Sequence, residues 1–346
     1  MAKKNNQKCL GCGGDLIFSP EKQALFCKNC KSLQNINAKN EFIKIDYNEE
    51  NIEDVKPIIK SCNCPNCGAN IDTQNGEISK ICPYCENSFV LSLNEINGLK
   101  PNGIIPFNFD KEKAKEYYKK GVKKKYFLPN AFKKSPNLDK ITGTYVPCFS
   151  FDADTDSTYN GRLRIQETRT NNGQTQTYTR YKNIAGERSY NFENVIIESS
   201  KLTNQNSFDQ IKPFLFDSTT IYEYSEDFLR GYVVESYDNN LKNCKILSEN
   251  YINSQIRERI LSAYHYSSVD YLDVRTKFSN YKYSYVLLPV YFIEFKYKNK
   301  DYKTYINGQT GKVGDDLPKS KVKIFFSVFA VILFIALIFG LFFFLK

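Results

Sequence analysis

An α+β fold is predicted for this 346-residue chain: two small β-hairpin modules, a body of antiparallel sheet and helices, and one terminal apolar helix. Three observations carry that prediction. Eight of the eleven cysteines form two copies of one pattern, Cys9-x2-Cys12…Cys27-x2-Cys30 and Cys64-x2-Cys67…Cys82-x2-Cys85, each with fourteen residues between its pairs. From 101 to 318, helical and alternating periodicities follow one another. Ile324 to Leu345 then runs without a charge. The expected divisions are ribbon 1 over 7–33, a connector over 34–60, ribbon 2 over 61–92, the body over 101–318 and a transmembrane helix over 324–345.

Two cysteines separated by two residues share one tight turn and present both sulfurs to one ion. Two such turns on neighbouring hairpins complete a tetrahedral thiolate site. Gly13 and Gly68 follow the second cysteine of each copy, where the chain must curl. Pro65 and Pro83 lie inside two of the turns and pre-set their backbone angles. One pair alone would leave disulfides or chance open. Four in duplicated register point to two zinc ions, with iron–sulfur ligation as the competitor.

The expected ligands are Cys9, Cys12, Cys27 and Cys30 for one ion, and Cys64, Cys67, Cys82 and Cys85 for the other. Four thiolates fill the coordination sphere, so the ions are read as structural and a hydrolytic role is disfavoured. Modules of about 25 residues cannot enclose an adequate core, so the metal supplies their fold. Cys62 is read as a spare thiol or a substitute ligand, and Cys148 and Cys244 as packing residues. Metal-holding thiols must stay reduced, which points to the cytosol.

Hydrophobic content of 41% and aromatic content of 15% indicate a globular body rather than a disordered tail. The net charge of +10 fits nucleic acid, an anionic membrane surface, or neither. Lys, Asn, Ile and Tyr are abundant together, which weakens any argument from lysine alone. Ten lysines concentrate in 111–134, where Ala114, Tyr118, Val122 and Tyr126 recur every fourth residue. An amphipathic helix docked on the body is expected there. Its lysines are read as a solvated face, with anionic lipid and nucleic acid left open as their targets.

Ile324–Leu345 has one hydroxyl, Ser327, and at about 1.5 Å per residue its length suffices to cross a bilayer. Lys319, Lys321 and Lys323 precede it and only Lys346 follows, so the bulk of the chain is expected in the cytoplasm. The expectation is a tail-anchored, single-pass protein with no export signal at its N-terminus.

The connector is expected to pair weakly with the ribbons or to act as a spacer. In the body, a strand is expected over 144–151 and a hairpin over 161–181, turning near Asn171-Asn172-Gly173. A helix is expected over 245–264, with Leu247, Tyr251, Ile252, Ile256, Ile260, Leu261 and Tyr264 as its apolar stripe. Strands follow over 270–278, 284–297 and 301–306, the second alternating Ile293, Phe295 and Tyr297 with charged residues. Val146-Pro147-Cys148-Phe149-Ser150-Phe151 echoes Leu288-Pro289-Val290-Tyr291-Phe292-Ile293, which raises an internal duplication. Prolines tolerated on edge strands are the alternative.

Catalytic equipment is not evident. There is no phosphate loop and no Gly-x-Gly-x-x-Gly after a strand. The single histidine, His265, has no evident triad partner. Asp152, Asp154 and Asp156 resemble the start of a calcium loop, but Ser157 stands where glycine is needed and Leu163 where a bidentate Glu is needed. A charged strand end is the expected reading. No enzyme activity and no small-molecule substrate are inferred.

Cys64-Pro-Asn-Cys-Gly, Cys82-Pro-Tyr-Cys, Ile104-Ile-Pro-Phe, Ile141-Thr-Gly-Thr-Tyr-Val-Pro, Leu287-Leu-Pro-Val and Asn307-Gly-Gln-Thr-Gly-Lys cover most of the chain. With the order of modules, they resemble a bacterial family of TFIIB-type zinc ribbon-containing membrane proteins. Some members carry a primosomal-helicase name, but the helicase nucleotide motifs are missing here. The resemblance implies a membrane platform that acts with SPFH-domain and phage-shock-protein-A-like partners in envelope maintenance, and it brings no catalytic residues. Asn307–Lys312 is also similar to the end of small PepSY-type domains, a helix plus three strands.

Two functions are weighed from these readings, with an enzyme whose site lies in the 101–318 body as a distant third. One is a non-enzymatic scaffold that recruits cytosolic partners to the inner membrane face. The other is nucleic-acid binding by the ribbons, where Lys22, Lys28, Lys31 and Phe26, with Lys80, Tyr84 and Phe89, make a thin basic footprint.

Overall fold

The computed structural model describes residues 8–40, 43–48, 61–64, 67–72, 79–82, 84–85, 88–90, 99–134, 140–171, 174–200, 205–217, 219–314 and 316–344. It is a mixed α+β structure with two four-cysteine sites in front and a C-terminal apolar helix.

Ribbon 1 is an antiparallel sheet of β1 (Leu16–Ser19), β2 (Ala24–Cys27) and β3 (Leu33–Asn35). Gln34 and Asn35, at the start of the expected connector, pair with β2, and Ile36 packs on the ribbon core; residues 43–48 then lie along the body. There β4 (Ile45–Asp46) pairs with Lys282 and Tyr283, and Tyr47 N–H donates to the Tyr281 carbonyl. In ribbon 2, β5 (Ser61–Asn63) pairs with β6 (Asn70–Asp72), and β7 (Ser79–Ile81) with β8 (Ser88–Val90).

The body begins with β9 (Gly103–Ile104), α1 (Lys111–Lys124) and α2 (Asn130–Lys134). Asp110 caps α1 by accepting the Lys113 N–H, and Ala114, Tyr118 and Val122 are buried as expected. The fourth member of that stripe is not. The helix stops at Lys124 and Tyr126 is 64% exposed. Lys125 leaves the helix in an extended conformation, with φ −80° and ψ 110°.

Two strands dominate: β10 (Lys140–Asn171) and β14 (Ser268–Tyr297). They run antiparallel from Lys140 opposite Glu294 to Arg164 opposite Ser268. β11 (Gln174–Glu198) returns along β10, and β15 (Lys300–Asn307) along β14. The expected segments 144–151 and 161–171 are thus one strand, as are 270–278 and 284–297. The polar stretch after Phe151 is the outward face of a continuing strand: Ala153, Thr155, Ser157 and Tyr159 are buried between the aspartates. Asn171 pairs with Gln174, so the expected Asn172-Gly173 turn falls outside the described residues.

Both long strands bend without ending. β10 shifts register against β11 between Phe151 and Ala153, and against β14 between Asp152 and Asp154. Asn194 and Asn280 sit there with φ of 54° and 49°. The aspartates hold these bulges. Asp152 accepts the Asn194 N–H, and Asp154 accepts the Asn280 and Asn191 side-chain amides.

Between the hairpins come α3 (Gln205–Ile211), β12 (Tyr222–Glu223), a 3-10 turn (Glu226–Leu229), β13 (Val233–Val234) and α4 (Leu241–Ser262). The buried stripe of α4 is Leu241, Cys244, Ser248, Ile252, Ile256 and Ile260. Leu247 and Tyr251, expected in that stripe, are 43% and 48% exposed. Ile252, Ile256 and Ile260 are buried as expected, and Leu261 and Tyr264 pack against the core. The helix starts four residues earlier than expected, and Leu241, Cys244 and Ser248 complete the stripe. The sheet is buried on both faces over 143–151 and 285–293. Tyr145, Phe149 and Phe151 share a core with α1 and α4, while Val146 and Cys148 share one with Phe208 and Ile211 of α3. α5 (Lys321–Phe344) closes the described chain.

The duplication has a structural counterpart. Thr144 and Tyr145 pair in parallel with β13, and after Pro147 the neighbour becomes β11, beginning at Cys148 opposite Glu198. Val286 and Leu287 pair in parallel with β9, and after Pro289 the neighbour becomes β15, beginning at Val290 opposite Asn307. Each proline thus marks a change of neighbour, where no ladder N–H is needed. The unit is a short strand, a helix and a long hairpin. Each short strand pairs with the other unit's long strand.

Candidate metal centres

Three of the cysteine turns share one hydrogen-bond pattern among the described residues. Cys9 N–H donates to the Gly14 carbonyl and Gly13 N–H to the Cys9 carbonyl, both at 2.8 Å. Cys64 and Gly68 repeat the pair with Ala69, also at 2.8 Å. Gly13 and Gly68 have φ of 69° and 73°, so the expected positive angles are present. On the far side of ribbon 1, Cys27 N–H donates to the Ser32 carbonyl and Lys31 N–H to the Cys27 carbonyl, with Lys31 at φ 65°.

These turns bring the eight expected cysteines into two groups. In ribbon 1 the sulfurs of Cys9 and Cys30, and those of Cys12 and Cys27, are 3.5 Å apart. In ribbon 2, Cys64 to Cys85 and Cys67 to Cys82 are both 3.7 Å. All four sulfurs of each group lie within 4.8 Å of one another. Thiolates on a tetrahedral ion with bonds of about 2.3 Å would be separated by about 3.8 Å. Each tetrad therefore fits one metal ion. Cys9, Cys27, Cys64 and Cys82 are buried, whereas Cys12, Cys30 and Cys67 are exposed.

Ser32 is a site residue that cysteine spacing alone does not reveal. Its hydroxyl is 3.2 Å from the Cys9 sulfur and 3.1 Å from that of Cys30. That contact, with backbone N–H groups, lowers the Cys9 thiol to about 6 and also lowers Cys30. The Gly14 N–H favours the Cys12 thiolate, but the Cys30 and Cys27 sulfurs beside it push it up to about 11. Four sulfurs crowded this closely suit a bound cation.

The chain is similar to a Bacillus subtilis protein. That protein, from strain 168, carries the name "Uncharacterized protein YdjG" and is 27% identical over 323 residues, 92% of this chain and 91% of its own. No family model matches the chain, and no solved structure matches it significantly. The tetrads fit zinc-ribbon sites in general, and no family model ties them to the TFIIB type.

Ribbon 1 is seated on the body. Phe18, 2% exposed, meets Phe228 edge-on at 5.3 Å, and its N–H donates to the Arg230 carbonyl at 3.0 Å. The Gln23 amide donates to the Phe107 carbonyl at 2.8 Å. Ribbon 2 reaches the body sheet where Ser79 of β7 pairs with Val234 of β13.

The remaining candidates fall outside the tetrads. Cys62 lies in β5, and its side chain is outside the described residues. Cys148 and Cys244 are fully buried, and burial pushes both thiols up, as suits packing residues. His265 is exposed. Asp156 accepts the Ser189 hydroxyl at 2.6 Å. α5 is long and apolar enough to cross a membrane, and its side chains lie outside the core.

Proposed function

We propose that this protein is a non-enzymatic, tail-anchored membrane protein whose two structural zinc ions rigidify ribbons that recruit or scaffold cytosolic protein partners at the inner membrane face. The observation that carries this reading is the pairing of two complete thiolate tetrads with one outward-facing apolar helix. A tetrad leaves no coordination position for substrate. A single span gives location rather than a conduction path. Zinc is favoured by all-thiolate, near-tetrahedral ligation in ribbon-sized modules. The lysines before α5 favour a cytoplasmic body, and reduced thiols fit the same compartment. A role in envelope maintenance, with SPFH-domain or phage-shock-protein-A-like partners, rests on the family resemblance.

The nucleic-acid reading has less support. Lys31 donates to the Lys28 carbonyl at 2.9 Å and lies over Phe26 at 5.6 Å, so part of ribbon 1's basic surface is engaged internally. The decisive experiment purifies the intact protein from membranes beside a Cys64→Ser/Cys67→Ser variant and compares co-purifying proteins. Partner loss in the variant is expected. An unchanged partner set would sink the recruitment role of ribbon 2, and salt-sensitive nucleic acid in the intact sample would favour the alternative.

A further inference from the structure

The start of α5 is clasped by the loop between α1 and α2. Lys323 donates from its ammonium to the Tyr126 carbonyl at 3.1 Å, the Leu128 carbonyl at 2.9 Å and the Asn130 side-chain oxygen at 2.7 Å. Those are all three donors a lysine has. Ser320 N–H adds a bond to the Phe127 carbonyl at 2.7 Å. On its other side the loop is fixed to the body: Leu128 is 3% exposed, and Phe132 packs on Phe295 and Tyr297 with ring centres 5.1 and 5.4 Å away.

The clasp fixes the height of neighbouring side chains. Uninterrupted apolar sequence begins at Ile324, one residue after the clasp, so the loop lies level with the first turn of a spanning helix. Tyr126 and Phe127 are 64% and 46% exposed there, ring against ring at 5.3 Å. Exposed aromatics at that depth suit the headgroup layer. Around them Lys119, Lys120, Lys123, Lys124, Lys134, Lys319 and Lys321 are exposed, with no carboxylate within ion-pair distance among the described residues. Glu116, the acid on this part of α1, is paired with Lys113 at 2.9 Å.

We infer that the α1–α2 corner is a membrane footing: Tyr126 and Phe127 enter the headgroup layer, and the surrounding lysines bind anionic phospholipid headgroups. The inference rests on α5 spanning the bilayer. It gives the lysine cluster a lipid partner and holds the body in one orientation above the membrane, through a second attachment that packing makes rigid. Lysines near an anionic surface act cumulatively, within a screening distance of about 10 Å.

The chain has no tryptophan, so Phe127→Trp supplies its one tryptophan, excited selectively over the tyrosines in the full-length protein. Tyr126→Trp is a second reporter should the first disturb folding. The protein is placed in nanodiscs of phosphatidylcholine, with or without phosphatidylglycerol, containing a headgroup-nitroxide lipid as quencher. Quenching in both, stronger with phosphatidylglycerol, is expected. Adding Lys119→Gln, Lys120→Gln, Lys123→Gln and Lys124→Gln should remove the phosphatidylglycerol-dependent part. Absent quenching, or equal quenching in the two lipids, overturns the footing. Phe329→Trp with deep brominated lipids separates the two readings: if it too is unquenched, the span itself has failed, and if it is quenched, only the footing has.

Discussion

Pro147 and Pro289 lie diagonally across the two central strands, Pro147 opposite Leu287 and Pro289 opposite Tyr145. Each carbonyl accepts the N–H just past its own return strand: Ser199 to Pro147 at 3.1 Å, and Gly308 to Pro289 at 2.8 Å. The helix side repeats the match. Ile105 N–H donates to the Leu287 carbonyl at 3.0 Å, and Glu235 N–H to the Tyr145 carbonyl at 3.1 Å. The helix caps Asp110 and Asn240 each stand six residues after the paired strand residues Ile104 and Val234. Two copies of one unit, exchanging their short strands, account for all of these matches.

The copies differ at Ser199 and Gly308, and the difference is testable. Ser199 has room for its hydroxyl, which donates to the Pro147 carbonyl at 3.0 Å. A Cβ on Gly308 would stand 2.6 Å from the Phe107 ring and 2.9 Å from Pro289. Gly308→Ser should therefore destabilise by about 1–3 kcal/mol through overpacking. Ser199→Gly should cost less, about 1 kcal/mol for its hydrogen bond and added backbone freedom. Thermal unfolding of both variants in detergent decides; equal losses would contradict the packing argument.

The cysteine tetrads were legible because ligand spacing is local chemistry, and so was the apolar helix. The long strands were harder to read. Asp152, Asp154 and Asp156 read as a strand end, yet the strand continues, and Asp152 and Asp154 hold its bulges through Asn194 and Asn280, residues that sequence distance conceals. The clasp on Lys323 joins residues almost two hundred positions apart. The α4 stripe is legible at Ile252, Ile256 and Ile260 but not at its start, where Leu247 and Tyr251 are exposed and Cys244 and Ser248 do the packing. Burial there follows position on the helix more than side-chain polarity.

Glu198 is expected to make stability fall as pH rises. It is 6% exposed, and burial pushes its carboxyl up to about 8; Glu235 adds to the rise, while the Ser200 N–H opposes it. The unfolded carboxyl ionises near its ordinary 4.5, so between about 4.5 and 8 the folded state holds the extra proton. The contribution is full below that window and lost as pH climbs through it. Glu198→Gln should flatten the slope and leave the variant more stable than the parent at pH above 8, by an amount on the order of a few kcal/mol. Unfolding midpoints measured across that range check it. Unchanged slopes would mean Glu198 ionises freely.

Asn307 is fully buried and uses both ends of its amide. Its oxygen accepts the N–H groups of Gln309 and Thr310 at 2.8 and 2.9 Å, and its nitrogen donates to the Ile211 and Pro213 carbonyls at 2.9 and 3.0 Å. Asn307→Asp keeps the acceptor half but points a charged oxygen at two carbonyls. A loss of about 2–4 kcal/mol is expected, partly recovered at acidic pH, where a protonated carboxyl can donate to one of them. Asn307→Ala should lose a similar amount without pH recovery. The contrast between the two pH profiles, read by thermal unfolding, separates hydrogen bonding from simple packing.

Metal loss from ribbon 1 should reach the body through Phe18. The ring sits between Phe228 at 5.3 Å and Tyr232 at 6.3 Å, so an unfolded ribbon would withdraw an aromatic from the body's own core. Cys9→Ser/Cys12→Ser is expected to remove one bound ion and lower the body's unfolding midpoint. Phe18→Ala should keep both ions and lower the midpoint by an equivalent of about 3–5 kcal/mol. The triple variant tests the coupling. If the ribbon acts on the body through this contact, the losses will be strongly non-additive. Metal content by elemental analysis and near-ultraviolet circular dichroism of the tyrosine-rich core supply the two readouts. Additive losses would mean that the ribbon and the body are stabilised independently.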